Sequence, residues 1–244
     1  LKVLADTNEY YVGAIDANMV YDGQVMGQLA YDSGCRTACI IGGNIGDNNM
    51  DQRSQGFRET FEAAGGTVVA EARCTDNSEA PQKASDMLSA NMDVDCIYAM
   101  VGDYVPGSII AIDNLGLTDI QVFMSCVDKD SAELIKEGRI TAGNDGIGLA
   151  SSITPTLLLN YLDGHKILDE GGKAPRLQTK PFTVNKDNVD DYIACFYGEG
   201  VHPLTEEVLK NLCYRFNKDV TYQTYVDFLA TLNLETIKEA HGIN

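Results

Sequence analysis

Residues 37–70 read TACIIGGNIGDNNMDQRSQGFRETFEAAGGTVVA, and this stretch decides the fold. Residues 37–41 are apolar and rich in β-branched side chains, which is typical of a buried strand. Residues 50–64 have the spacing of apolar side chains that an amphipathic helix requires. The glycine pair at 65–66 predicts the end of this helix, because glycine readily takes the left-handed conformation found there. A second strand pattern follows at 67–70, so the stretch predicts a strand–helix–strand unit.

The same unit recurs along the first two-thirds of the chain. Strands are predicted at residues 37–41, 67–70, 96–99, 120–124 and 140–142. Helices are predicted at residues 21–31, 50–64, 80–90, 105–115, 131–137 and 153–162. Strand starts lie 20 to 30 residues apart, the length that a strand, a crossover helix and two loops need. We therefore predict an α/β fold with a doubly wound, mostly parallel five-stranded sheet and helices on both faces.

The pattern changes after about residue 165. Residues 166–244 show no further alternation of strands and helices. An isolated strand is predicted at 177–184, and short helices are predicted at residues 187–196, 205–214, 222–232 and 235–240. The chain is thus expected to have two parts. These are an α/β ligand-binding lobe over residues 1–165, and a return strand with a mainly helical tail over residues 166–244.

The charge balance excludes several classes of partner. Acidic residues outnumber basic ones 36 to 18, which gives a net charge of −18. Such a field repels a phosphate backbone and an anionic membrane surface, so we expect no nucleic-acid partner. No apolar run approaches the roughly 20 residues that a membrane-spanning helix requires. The sequence therefore predicts no direct membrane insertion of this chain.

The cysteines indicate neither a metal site nor a disulfide scaffold. Their number is seven, so at least one thiol lacks a partner within the chain. Cys39 and Cys96 lie inside apolar strand patterns, where cysteine usually acts as a small hydrophobic residue. Cys35 and Cys39 are the only close pair in the sequence, and no histidine cluster completes a zinc site. So many thiols suit a cytoplasm, or the exterior of a cell that lives without oxygen.

No catalytic set is found in the sequence. The glycine-rich run GGNIG at residues 42–46 matches neither the dinucleotide-binding pattern nor the phosphate-binding loop. The three histidines, His165, His202 and His241, fall in or beside the tail, away from the predicted strand ends. No Ser–His–Asp order accompanies a nucleophile elbow. We therefore predict no enzyme activity, no catalytic residues and no cofactor.

Several stretches, taken in order, resemble one family. They are YVGAIDANMVYDGQVMGQ at 11–28, IIGGNIGDNNMDQRSQGF at 40–57, DVDCIYAMVGDYVPGSIIAIDNLG at 93–116, EGRI at 137–140 and YLDG at 161–164. In this order and spacing they are similar to the second, carboxy-terminal lobe of ribose-binding-type periplasmic binding proteins. That lobe is shared with the lactose-repressor family. The resemblance covers roughly residues 10 to 165.

The resemblance implies a solute-binding component of an ABC-type importer that captures a sugar or similar small polar molecule in an interlobe cleft. It also implies an ABC transporter permease as partner. The expected location is extracytoplasmic, either periplasmic or as a cell-surface lipoprotein. Members carry an amino-terminal lobe of about a hundred residues, which has no room before Leu1. We therefore expect a processed or truncated chain, or a missing amino-terminal lobe that another chain supplies.

The same resemblance leaves an alternative open, the effector-binding domain of a lactose-repressor-type transcriptional regulator. An acidic lobe that tolerates cysteines would suit an intracellular regulator. Against this reading, the sequence carries no DNA-binding head, and a long helical tail is atypical of that family. A third reading, an enzyme on a flavodoxin-like sheet, lacks a catalytic set.

The ligand site is predicted from the order of the strands. In open α/β sheets, ligands bind beyond the carboxyl ends of the strands. That rule selects the loops at residues 42–50, 100–104, 125–128 and 144–148. The predicted ligand-binding residues are Asn48, Asp51, Val101, Gly102, Asp103, Tyr104, Cys126, Asn144 and Asp145. Carboxylates accept hydrogen bonds from hydroxyl groups, which favours a sugar or polyol, but they also bind ammonium groups, so an amine stays open.

Four of these positions differ from what the resemblance implies. Asp51 stands where sugar-binding members place an arginine, and Val101 stands where they place an asparagine. Cys126 replaces an aspartate, and Gly146 or its neighbour Asp145 replaces a glutamine. The resemblance therefore implies the fold and a small polar solute, without identifying that solute.

Some candidates have a structural role as their alternative. Asp128 is predicted to cap a helix rather than to touch a ligand, because aspartate is a favoured cap. Asp47, Asn48 and Asn49 also precede a helix, so at least one of them caps it. Tyr104 either stacks on a sugar face or covers the edge of the sheet.

Overall fold

The structure, a computed structural model, describes residues 7–243 and divides them into two compact units. The sheet unit comprises residues 19–145 and 181–193. The tail unit comprises the described residues up to Asn18, residues 146–180, and the described residues from Ala194 onward. Residues 1–6 of the predicted lobe and residue 244 of the predicted tail lie outside the described part.

The predicted elements recur in the predicted order, with an additional strand before the first predicted helix and two strands in place of the one predicted at 177–184. The strands are β1 (Ala14–Ala17), β2 (Thr37–Gly42), β3 (Thr67–Arg73), β4 (Cys96–Ala99), β5 (Gln121–Ser125), β6 (Ala142–Asp145), β7 (Arg176–Thr179) and β8 (Phe182–Asn185). The helices are α1 (Met19–Asp32), α2 (Asn48–Ala64), α3 (Ala80–Ser89), α4 (Val105–Leu115), α5 (Lys129–Lys136), α6 (Ala150–Leu162), α7 (Val189–Tyr197), α8 (Glu206–Asn211), α9 (Tyr222–Thr231) and α10 (Leu234–Ala240). Short 3-10 turns occupy Asn77–Glu79, Gly102–Tyr104 and Ile147–Leu149.

The sheet unit contains one mixed sheet with the strand order β3-β2-β4-β5-β6-β8. Strands β2 to β6 run parallel, whereas β8 pairs antiparallel with β6. The predicted α/β fold with a mostly parallel sheet is confirmed. The predicted count of five strands is wrong, because β8 adds a sixth strand at one edge.

The single strand predicted at 177–184 is two strands that belong to different sheets. β7 pairs in parallel with β1 in the tail unit, and β8 joins the sheet unit. Pro181 lies between them and has no N–H to donate to a ladder, which is a physical reason for the break.

The compact units do not follow the boundary predicted at residue 165. Helix α6 packs against β1, and β1 pairs with β7, so residues 146–165 group with the tail. Within the tail unit, Asn160 of α6 donates from Nδ2 to Leu212 O at 2.9 Å and to the Tyr225 hydroxyl at 3.0 Å. These buried hydrogen bonds attach the predicted short helices to α6.

The core of the sheet unit lies beneath α1 and α2. Phe57 of α2 stacks on Tyr98 of β4 with ring centroids 4.5 Å apart, and it also stacks on Phe61 at 5.5 Å. The hydroxyl of the fully buried Tyr98 is hydrogen-bonded to Ser125 at the end of β5, at 2.8 Å. The aromatic layer therefore fixes both helices over the carboxyl halves of the central strands.

Asp95 ties the amino ends of β2 and β4 together, and its removal should be visible in the pH dependence of stability. Its Oδ2 accepts hydrogen bonds from the N–H groups of Arg36 and Thr37 at 2.7 and 2.8 Å. Burial alone would raise the pKa of Asp95, but these hydrogen bonds outweigh it and lower the pKa. A lowered folded-state pKa contributes stability above the ordinary aspartate pKa, and this is lost as pH falls through the lowered value.

We expect Asp95→Ala to lower the free energy of unfolding by about 1–3 kcal/mol at neutral pH. The difference from the unsubstituted protein should narrow below pH ~4, the ordinary range of an aspartate. Urea denaturation between neutral and acidic pH measures both effects. Asp93→Ala, at an exposed position two residues earlier, is the matched control and should change little. Parallel pH curves for Asp95→Ala and the unsubstituted protein would contradict this account.

Candidate ligand site at the carboxyl edge of the sheet

Four parallel strands of the sheet unit, β2, β4, β5 and β6, end at one edge. We call this the carboxyl edge, and it consists of residues 42–47, 100–103, 126–128, 144 and 145. Two helical side chains lie directly against it, Asp22 of α1, which is bonded to Asn144, and Arg53 of α2, which is bonded to Cys126.

A buried ion pair lies behind the carboxyl edge. Arg53 of α2 donates from Nε to Asp22 Oδ2 of α1 at 2.7 Å, and their side chains are 3% and 0% exposed. Arg53 Nη2 lies 3.0 Å from Cys126 Sγ, to which it donates. Among residues 7–243, the third nitrogen of the guanidinium, Nη1, has no hydrogen-bond partner. A strongly buried arginine that contacts Cys126 therefore keeps both N–H groups of Nη1 uncommitted.

Asn144 completes the partners of Asp22. Its Nδ2 donates to Asp22 Oδ1 and to the Asp22 carbonyl oxygen, both at 3.1 Å. Its Oδ1 accepts from Thr183 Oγ1 of β8 at 3.1 Å. Asn144 is fully buried, so its role in this structure is to hold Asp22. The neighbouring Asp145 is half-buried and accepts from the Tyr192 hydroxyl at 2.6 Å.

Cys126 has an unusual backbone and a protonated thiol. Its φ of 59° is the one positive value among the non-glycine residues of the described chain. Burial raises the pKa of Cys126 to about 11, against the opposing charge of Arg53. The thiol therefore stays protonated near neutral pH and is a poor nucleophile. It forms a half-buried wall of the edge.

Gly102 and Asp128 adjoin Cys126. A Cβ built on Gly102 would lie 3.0 Å from Asp128 Oδ2 and 3.2 Å from the Cys126 carbonyl oxygen. Asp128 Oδ1 accepts from Ser131 N at 2.7 Å, so the predicted helix cap at Asp128 is confirmed. Its other carboxylate oxygen, Oδ2, has no hydrogen-bond partner in the described part of the chain. Asp128 is therefore both a cap and an available acceptor.

The loop after β2 is held by its own side chains. Asp47 caps α2, accepting from Asn49 N at 2.9 Å and Met50 N at 3.2 Å. Asp51 accepts from Gly46 N at 2.9 Å and forms an ion pair with Arg73 of β3. The carboxylate of Asp51 is thus engaged with the loop and with β3.

The remaining candidates differ in exposure. Asn48 is exposed, and its Oδ1 accepts from Gln52 Nε2 one turn later, at 3.1 Å. Val101 is half-buried and Asp103 is exposed. Tyr104 is only 8% exposed, and burial raises its pKa. The Tyr104 ring is packed in the protein and offers little face to a ligand.

Sequence reasoning missed Asp22 entirely and treated Arg53 only as part of a motif. A usable signal was present. Helical spacing places Asp22 on the same face of α1 as Met26 and Ala30, four and eight residues later, and both are buried. A carboxylate on a buried face requires a cationic or hydrogen-bonding partner. That requirement predicts an interaction of Asp22 but does not identify its partner.

These groups can orient a polar molecule by hydrogen bonds. Arg53 offers a donor and Asp128 offers an acceptor. Cys126 is bonded to Arg53 through its thiol, and its carbonyl oxygen and Asp128 Oδ2 both lie next to Gly102. Among the described residues, no group of three or more His, Cys, Asp or Glu side chains is placed to hold a metal ion. Across residues 7–243 we also find no helix with the length and apolarity that crossing a membrane requires.

The fold and the edge together define a class, the α/β lobes that hold a ligand beyond the carboxyl ends of parallel strands. Residues 8–166 match the family model described as a periplasmic binding protein domain. The chain belongs to this family, as the resemblance predicted. No curated protein matches the sequence.

Solved structures with a similar fold include three named for solutes. A periplasmic solute binding protein of an ABC transporter from Actinobacillus succinogenes with bound D-allose is 18% identical, with a TM-score of 0.66 over 79% of this chain and 67% of that protein. A periplasmic ribose ABC transporter protein from Conexibacter woesei is also 18% identical, with a TM-score of 0.66 over 78% and 64%. An arabinose binding protein from Geobacillus stearothermophilus is 22% identical, with a TM-score of 0.64 over 74% and 65%.

Identities this low show the fold alone. The chain spans 64–67% of the length of these three proteins. What they bind is therefore a property of those proteins, and a ligand for this chain has to be argued from its own residues.

Proposed function

We propose that this chain is part of the solute-binding component of an ABC-type importer, and that it holds a sugar or similar small polar molecule at its carboxyl edge. Membership of the periplasmic binding protein family supports this reading. The similar structures include proteins named for D-allose, ribose and arabinose. The single observation that carries the proposal is the buried Arg53, which donates from Nη2 to Cys126 at the edge and whose Nη1 has no partner among the described residues.

The charges at the edge favour a neutral hydroxylated ligand. The charge of Arg53 is already balanced by Asp22 at 2.7 Å. The carboxylates of Asp103, Asp128 and Asp145 leave the edge acidic, which disfavours an anionic solute. The free N–H of Arg53 in turn opposes an ammonium group. A hydroxyl can accept from Arg53 and donate to Asp128, so a sugar or polyol satisfies both.

The proposal extends to the whole protein. A second lobe, the amino-terminal one that the resemblance implies, would cover the ligand, and closure of the two lobes would bury it. The closed form would dock to an ABC transporter permease. The proposed location is extracytoplasmic, either in a periplasm or on a cell surface as a lipoprotein. The proposed ligand residues are Asp51, Asn48, Val101, Gly102, Asp103, Cys126 and Asp145, to which we add Arg53 and Asp128. Of the other two predicted ligand residues, Asn144 instead supports the site through Asp22, and Tyr104 is packed beside it.

The test uses the full natural protein and a panel of monosaccharides, polyols, amines and nucleosides. One sugar or polyol is expected to raise the melting temperature, because a ligand that binds only the folded state stabilises it. Asp128→Asn should then weaken binding by roughly 10- to 100-fold, the effect of losing a charged hydrogen-bond acceptor. Asparagine still caps a helix, so the fold of α5 is retained. Calorimetry measures the change in Kd.

Asp130→Asn is the matched control. Asp130 is an exposed acid in the first turn of the same helix and loses the same charge. Its substitution should leave Kd nearly unchanged. The proposed function fails if no compound in the panel stabilises the protein. The assignment of Asp128 fails if Asp128→Asn and Asp130→Asn bind the identified ligand equally well.

A further inference from the structure

Two buried cysteines lie side by side at the amino end of the sheet, remote from the carboxyl edge. Cys35 stands between α1 and β2, and Cys96 is the first residue of β4. Both are 0% exposed and belong to the same core cluster, beneath α1 and α2. The Cys96 thiol donates to the carbonyl oxygen of Thr37, two residues after Cys35, at 3.6 Å.

The chain on either side of this pair is fixed by hydrogen bonds. The residues next to the two cysteines are Arg36 and Asp95, and Asp95 Oδ2 accepts from Arg36 N at 2.7 Å. Asp95 Oδ2 also accepts from Thr37 N and Thr37 Oγ1 at 2.8 and 2.9 Å, and Thr37 Oγ1 accepts from Asp95 N at 3.0 Å. In the ladder between β2 and β4, Cys96 is the partner of Ala38. The segments that carry the two thiols are therefore held together independently of the sulfur atoms.

We propose that Cys35 and Cys96 form a disulfide bond when the chain folds in an oxidising compartment. Such a bond would join the end of α1 to the start of β4 across about 60 residues of chain, where a cross-link restricts the unfolded state strongly. The inference rests on the hydrogen bonds that Asp95 and Cys96 make to the residues just after Cys35, and on the burial of both thiols in one core cluster. It does not depend on what the carboxyl edge binds.

The reaction requires an oxidant, which we take to be a disulfide of a small thiol or of an oxidoreductase. In one of two possible orders, the Cys35 thiolate attacks one sulfur of that disulfide, which forms a mixed disulfide and releases the first thiol. The Cys96 sulfur then loses its proton and attacks Cys35, which releases the second thiol. Two protein thiols are oxidised and one disulfide is reduced to two thiols. Because both cysteines are buried in the folded protein, the exchange takes place before this part of the core closes.

The two thiols are not equivalent. The hydrogen bond from Cys96 lowers the pKa of Cys35, whereas the same contact together with burial raises the pKa of Cys96. These shifts belong to the folded, reduced pair, whereas the exchange precedes closure of the core, so either cysteine can attack first and both orders give the same bond. By contrast, burial raises the pKa of Cys39 to about 12. Cys39 is next to Ala38 in β2, so its side chain points to the opposite face of the sheet from those of Ala38 and Cys96.

The test refolds the reduced, denatured full chain with oxidised glutathione and then alkylates the remaining thiols in denaturant. Peptide mapping without reductant should show one cross-linked pair of peptides, which contain Cys35 and Cys96. The mass of this pair should equal the sum of the two free peptides less two hydrogen atoms. Five cysteines should be alkylated, which is the seven of the chain less the two in the bond. Reduction should lower the melting temperature of the oxidised protein by roughly 5–15 °C.

Cys39→Ser is the matched control, because it removes a neighbouring buried thiol and should leave the cross-link intact. Cys35→Ser should abolish both the cross-link and the effect of reductant on the melting temperature. The peptide map of the unsubstituted chain decides the matter even if Cys35→Ser folds poorly. Alkylation of all seven cysteines after oxidative refolding, or a cross-link between any other pair, would overturn the proposal.

Discussion

Replacing Asp22 by alanine is expected to lower the free energy of unfolding by about 3–5 kcal/mol, since it leaves the Arg53 charge buried without its counter-ion. The pair is almost fully enclosed, with side chains 0% and 3% exposed. Asp22 also accepts two hydrogen bonds from Asn144 Nδ2, one on its carboxylate and one on its carbonyl oxygen, and the first of these is lost as well. Urea denaturation followed by circular dichroism measures the change.

Two further variants make the interpretation specific. Asp32→Ala removes an exposed acid from the same helix, where it accepts from Gln28, and should cost about 0.5 kcal/mol or less. The double variant Asp22→Leu with Arg53→Met removes both charges and should lose less stability than Asp22→Ala alone. If Asp22→Ala unfolds at the same urea concentration as Asp32→Ala, the pair is not buried as described. If the double variant is no more stable than Asp22→Ala, the charge of Arg53 does not depend on Asp22 for its compensation.

The helices and parallel strands of the sheet unit were predictable because local signals agree with the fold. The prediction for residues 105–115 matches α4 at both ends. Gly116 has a φ of 66°, the left-handed conformation that terminates a helix, and the same signal operates at Gly65 with a φ of 110°. Where the local pattern and the tertiary structure agree, the predicted ends of helices and strands are accurate to within a few residues.

Strand β6 shows where local signals fail. It was predicted at residues 140–142 but occupies Ala142–Asp145, whose sequence is AGND. Glycine, asparagine and aspartate are depleted in strands. These residues are extended because β5 and β8 pair with them on both sides. The strands that pair with β6 are about 20 and 40 residues away in the sequence. A prediction from the local pattern cannot include them, so it places the strand on the apolar residues just before β6.

The candidate site was predictable in position but not in its hydrogen bonding. The rule for parallel strands located the edge that carries Cys126, Asn144 and Asp145. It did not show that Asn144 is engaged by Asp22, 122 residues earlier, or that Asp51 is engaged by Arg73. The hydrogen-bond partner of each polar side chain depends on how α1 and α2 pack. That packing cannot be predicted from any one residue taken by itself.

The packing of α1 against α2 depends on glycines where the two helices cross. We therefore expect Gly56→Ala to lower the free energy of unfolding by about 3 kcal/mol or more. A Cβ on Gly56 would lie 2.1 Å from the carbonyl oxygen of Val20, and one on Gly23 would lie 2.2 Å from the carbonyl oxygen of Arg53. Both obstacles are backbone atoms, so relief requires the helices to move apart. Separation would also lengthen the 2.7 Å hydrogen bond between Arg53 and Asp22.

Because the two glycines relieve the same crossing, Gly23→Ala should destabilise to a similar extent, and the double variant should lose less than the sum. Gln55→Ala is the matched control, since Gln55 is exposed on the same helix and its side chain donates to Glu59 one turn away. Its change should stay within about 0.5 kcal/mol. Urea denaturation of the four variants and the unsubstituted protein gives the comparison. If Gly56→Ala proves as stable as Gln55→Ala, the helices do not cross at backbone contact, and the ion pair of Asp22 and Arg53 must be held by other means.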